Sequence, residues 1–176
     1  AERYARIDSA VAVDPETRRK PEFVPAMEGL IPVIRGEQPL MISANAAPDI
    51  SKALDWAEER GVLDQVILSG SMEGWRVADD IAAADVPASI ILLDAPGGKP
   101  EADEIAYRNG RVLNQAGVDI AYHTDDPITD SRLFLRQPAI GVRAGLSREA
   151  ALESVTLAGA RMLGLADDTG SLEVGK

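Results

Sequence analysis

Between Pro39 and Tyr122 the apolar residues fall into short unbroken runs, and between the runs they recur every three or four positions. Leu40 to Ala44, Gln65 to Ser69, Ser89 to Leu93 and Val118 to Tyr122 are the four runs. Runs near five residues without alternation predict strands covered on both faces, as in a parallel sheet. The intervening stretches read as helices. Ile50, Ala53, Leu54 and Ala57 share one helical face before Gly61. Val77, Ile81 and Ala84 share another before Pro87, and Ile105, Val112, Leu113 and Ala116 a third before Gly117. A helix after each strand predicts repeated βα units with parallel pairing.

The flanks are patterned differently. Tyr4 to Val13 and Phe23 to Ile34 read as helices around a polar, proline-containing stretch. After Pro127 the chain reads as mostly helical, with Ser147 as an N-cap, Glu149 in the first turn, Ala151, Leu152 and Val155 facing inward, and Gly164 as a stop. Ala95 to Pro100 is a loop, and Asp167 to Lys176 a polar, extended tail.

Successive strand residues point to opposite faces, so Met41, Ser43 and Asn45 belong to one face while Leu40, Ile42 and Ala44 belong to the other. In the last run Ala121, His123 and Asp125 share a face. If the polar faces turn the same way, Ser43, Asn45, Ser69, His123 and Asp125 converge on one pocket mouth at the carboxyl ends of the strands. That edge is where α/β barrels place their chemistry. Asp125 is the leading functional candidate, since a carboxylate there can hold a divalent cation or take a proton from water. The competing reading is an Asp-Asp-Pro turn whose carboxylate caps backbone N–H groups. His123 is the only histidine, which excludes a histidine-rich zinc site within this chain. The Ser69-Gly70-Ser71-Met72-Glu73-Gly74 loop leads from a strand into a helix and offers backbone N–H groups to an anion or a substrate carboxylate. Glu73 is either a substrate contact or a partner for the helix dipole. The loop lacks the P-loop lysine and the dinucleotide glycine spacing.

Composition narrows the classes. The chain has 176 residues, enough for a core but short for a complete eight-stranded α/β barrel. A formal charge of −11 argues against nucleic acid as a partner. The absence of cysteine removes thiolate metal sites and disulfides. No apolar stretch approaches the roughly 18 residues that a membrane span requires.

Four stretches carry a family resemblance. Gly117 to Pro127, Val142 to Leu152 with Val155-Thr156, Ala160 to Leu165, and Gly170 to Lys176 resemble the carboxyl-terminal half of metal-dependent amidohydrolases of the imidazolonepropionase-like group. The likeness extends upstream to Leu30–Glu37. The resemblance implies strands five to eight of a (βα)8 barrel over residues 1–164, and over 165–176 a return toward a small β-sandwich. It implies a hydrolase of amide-type C–N bonds acting on a small molecule, with Asp125 as metal ligand and general base. Zn2+ is the metal implied; the strand-exit residues Asn45, Ser69 and His123, with Glu73 of the loop, are the substrate contacts expected from the strand faces and the loop.

The chain departs from the family pattern at two metal positions. Ser43 or Asn45 stands where the fifth strand carries a histidine, and Ser69 or Gly70 where the sixth does. The paired first-strand histidines would precede Ala1. These departures support an alternative, a non-catalytic barrel used for binding or assembly. A half-barrel leaves strand edges uncovered, so a missing amino-terminal half or a second copy of the chain is the expected partner. The chain is accordingly expected to be a fragment, inactive by itself. A third reading is a free-standing, doubly wound binding module using Gly70 to Gly74 as an anion cradle; sheet order separates it from a barrel half.

Overall fold

A computed structural model describes residues 6, 7, 9, 24–92, 107–126 and 129–176. The chain divides into two compact units, Ala1–Leu40 and Met41–Lys176. In the first unit, the single helix expected over Phe23 to Ile34 is two short ones, α1 (Pro25–Glu28) and α2 (Ile31–Ile34). Pro32 carries no N–H to bond back across the join, so the chain turns at Gly29 and Leu30 and restarts. Ile31 is the buried side chain of α2. Arg35 Nη2 donates to Ser9 Oγ at 3.2 Å. The helix expected over Tyr4 to Val13 lies mostly outside the described residues.

The second unit is built on strands β1 (Leu40–Ala44), β2 (Val66–Gly70), β3 (Ala88–Ile90) and β4 (Ile120–Tyr122), ordered β1-β2-β3-β4. Parallel pairing sets Ser69 opposite Ser89 and Ser89 opposite Ala121. Sequential order without reversal is that of a barrel segment, and it excludes a doubly wound sheet across these four strands. β3 and β4 are shorter than the apolar runs that announced them. Ile91 and Leu92 lie beyond the β3 ladder, Val118 and Asp119 before the β4 ladder, and Leu93 outside the described residues.

Helices α3 (Ala47–Arg60), α4 (Ala78–Ala83) and α5 (Asn109–Ala116) follow the first three strands. α3 buries Ile50, Leu54 and Ala57, the stripe read from the sequence, and Gly61 ends it at φ 64°. That left-handed residue lets Val62 N–H reach Ala57 C=O at 3.0 Å, closing the last turn. Gly117 ends α5 in the same region at φ 96°. Beyond β4 come α6 (Arg136–Arg143), α7 (Arg148–Glu153) and α8 (Leu157–Met162). Ser147 Oγ accepts from Ala150 N–H at 3.0 Å, the expected cap of α7. That helix stops early, however. Ser154 and Thr156 spend their hydroxyls on the carbonyls of Ala151 and Leu152, which competes with helix continuation. Within the helix Ala151 is the buried residue and Leu152, next to it, is 67% exposed, against the expectation that it faces inward. The tail makes turns rather than running straight, and Lys176 Nζ donates back to Ala166 C=O.

One hydrophobic cluster joins the helices to one sheet face through Val66, Leu68, Ala88, Ile90, Ile120 and Tyr122. Tyr122 reaches between helices that approach closely only because Gly110 and Gly141 lack side chains. A Cβ at either would stand 2.4 or 2.7 Å from its phenol oxygen. Burial without a hydrogen-bond partner pushes that phenol up to about 12. Among the described residues no helix is long and apolar enough to cross a membrane.

Candidate functional site at the carboxyl ends of the strands

The face opposite the helices carries Ser69, Ser89 and Ala121 in one row across β2, β3 and β4. All three are small, so the middle of this face has no bulky cover of its own. One step toward the carboxyl ends, His123 lies on the same face as Ala121. Its Nδ1 is 2.8 Å from Ser89 Oγ. Its backbone is held from both directions: His123 N–H donates to Ile90 C=O at 3.0 Å, and Gln137 Nε2 donates to His123 C=O at 2.7 Å. Burial lowers the His123 pKa, and the nearby Asp125 carboxylate partly opposes that shift.

Gln137 is buried and also accepts from Leu92 N–H at 2.8 Å, so one carboxamide ties the exits of β3 and β4 together. Thr129 Oγ1 adds a bond to Leu92 C=O. Gln137 falls on the side of α6 that also buries Pro138 and Gly141, where a polar residue needs a reason.

The β1 and β2 exits are strapped by other groups. Ser71 N–H donates to Ala44 C=O, and Glu73 N–H to Asn45 C=O. Glu73 Oε2 accepts from Ala47 N–H at 2.9 Å, capping α3, the helix before its own loop. Its other oxygen pairs with Arg76 at 3.2 Å. Asn109, at the start of α5, accepts from Trp75 N–H and donates to Ser71 C=O, which holds the loop onto the next βα unit. Asn45 lays its carboxamide against Gly70, where any Cβ would stand 2.2 Å from Oδ1. Gly70 has φ 86° and Ser71 φ 43°. Consecutive left-handed residues cost energy outside glycine and are typical of functional strand exits.

Asp125 is exposed in a turn at φ 52°. Ser43 is exposed on β1, while Asn45, Ser69, Glu73 and His123 are half-buried. Ser89 and Gln137, which tie His123 in place, were not singled out from the sequence. Ser89 was hidden in a run read as wholly aliphatic.

Among the described residues no three of His, Cys, Asp or Glu come together to hold a metal. The neutral oxygens of Ser43, Asn45 and Ser69 are poor Zn2+ ligands beside imidazole or thiolate, and His123 Nδ1 is engaged by Ser89. The residues present do not fit a Zn2+ centre.

No protein-family model and no curated protein matches the chain. Solved structures do. An amidohydrolase from Thermotoga maritima superposes with a TM-score of 0.84 over 99% of this chain, at 26% identity. This chain spans 46% of that protein's length. The fold is amidohydrolase-like: an α/β arrangement whose four-stranded sheet corresponds to about half of such a protein.

Proposed function

We propose that the chain is strands five to eight of an amidohydrolase-like (βα)8 barrel. Its parent protein would hydrolyse amide-type C–N bonds of a small molecule. Residues 165–176 would lead toward a flanking β-sandwich. Asp125 is the general base, taking a proton from the attacking water at the strand exits, and Asn45, Ser69 and His123 border the substrate. The observation that carries this reading is the superposition on an amidohydrolase across 99% of the chain, with strands in sequential order. A barrel segment that begins at β1 and ends at β4 calls for a partner to complete it, either the complementary half-barrel or a second copy of the chain. Glu73 is a strut rather than a substrate contact, since both its oxygens are already engaged.

No step here runs through a metal, because this donor set does not fit one. That same donor set supports a second reading, a barrel kept for binding or assembly. The parent protein, assayed against a panel of N-acyl amino acids and cyclic amides, separates the two. Asp125→Asn should reduce turnover at least a hundredfold while leaving the circular dichroism spectrum unchanged. Undiminished turnover in that variant would remove Asp125 from its role. Absence of turnover in the unmodified protein, together with tight binding of a panel member, would favour the binding reading.

A further inference from the structure

We infer that Ser89 and His123 form a nucleophile–base pair that gives this rim a covalent acyl-transfer chemistry, with esters and amides of small acyl groups as its substrate class. Ser89 Oγ and His123 Nδ1 are 2.8 Å apart, within hydrogen-bond reach for proton transfer. The imidazole does not hang from a free loop. Ile90 C=O and the buried Gln137 carboxamide grip the His123 backbone from either side, so the ring is preorganised against the hydroxyl. Both side chains are partly exposed, on the face that the helices leave open. Ala121, directly opposite Ser89 on β4, brings only a methyl group to that flank. On the other flank Ser69 is in register with Ser89, about 4.8 Å away across the parallel pair, with its hydroxyl on the same face. A hydroxyl on that face is a donor of the kind that stabilises the oxygen of a tetrahedral intermediate.

The step balances within these groups. Ser89 Oγ bonds to the acyl carbon while its proton passes to His123 Nδ1. The C–O or C–N bond then breaks, and the leaving alcohol or amine takes that proton. Water, deprotonated by His123, cleaves the resulting serine ester and restores both residues. This chemistry is additional to water activation by Asp125 and does not rest on it.

A fluorophosphonate probe tests the pair without any turnover assay, so failure here leaves the Asp125 reading standing and the converse also holds. Attack by Ser89 forms an O–P bond and expels fluoride, leaving a mass adduct on the full chain. The expected result is a single adduct located at Ser89, absent in Ser89→Ala and formed at least tenfold more slowly in His123→Gln. An adduct elsewhere, no adduct, or equal rates in His123→Gln would overturn the inference. A second variant guards against misfolding in Ser89→Ala. The chain has no cysteine, so Ser89→Cys introduces its only thiol. Iodoacetamide should alkylate that thiol at least tenfold faster than the one introduced by Ser131→Cys, and adding His123→Gln should remove the advantage. Equal alkylation of the two thiols would also overturn it.

Discussion

The two faces of the sheet are made by neighbouring residues of the same strands, yet they do opposite work. On the helix side Leu68, Ala88, Ile90 and Ile120 pack with Ile50, Ile81 and Leu113, and almost none of their surface meets water. On the other side the same strands present Ser69, Ser89, Ala121 and His123. The first face supplies the hydrophobic stabilisation and tolerates no missing volume. The second buries Ile67 and Ala121 as well, yet at Ser69, Ser89 and His123 it carries half-buried polar groups whose geometry can serve chemistry. Alternation along a strand is what allows one five-residue segment to do both.

The sharpest break of this comparison is a pair of adjacent substitutions in β2. Leu68 is fully buried, and Leu68→Ala should cost about 2–5 kcal/mol in urea unfolding through lost transfer energy and a residual cavity. Ser69→Ala, one residue away, should stay within about 0.5 kcal/mol. Similar losses at the two positions would show that the open face is packed after all.

A middle-sized effect belongs to the rim. Gln137→Ala leaves Leu92 N–H and His123 C=O without their partner, which should cost about 1–3 kcal/mol. If His123 depends on that grip, the variant should also lose most of its probe labelling at Ser89. Retained labelling with reduced stability would confine Gln137 to a structural role.

The smallest effect is a pH dependence. Burial lowers the His123 pKa in the folded state, with Asp125 opposing the shift. The unfolded chain takes up its proton near the ordinary histidine value of about 6.5, and the folded chain only at lower pH. Stability should therefore fall as pH drops through that value toward the folded pKa, and this contribution should level off below it. Unfolding midpoints compared with those of His123→Gln isolate the effect; parallel pH profiles for the two proteins would contradict it.

How much of this was legible beforehand differs from element to element. The presence and order of the four strands and most of the α3 stripe were legible, though not the bounds of β3 and β4, because an apolar run or a 3.6-residue repeat follows directly from where a side chain must be buried. The Ser147 cap was legible for a similarly local reason. The break at Ser154–Thr156 was not, since it turns on hydroxyls choosing carbonyls three or four residues back over helix continuation. Glu73 lies in the loop after a strand as read, but its carboxylate serves the start of α3 at Ala47, 26 positions back. The pairing of Ser89 with His123 across 34 positions left no local trace.

The sequence by itself determined the βα repeat and which residues of each strand share a face. Both depend on periodicities that each segment carries internally. Only the tertiary structure decided which groups bond: that Gln137 grips His123, that Ser89 meets its imidazole, and that Glu73 caps a preceding helix. Such contacts depend on strand register and helix docking, which are set by the packing of the whole core rather than by any one stretch of chain.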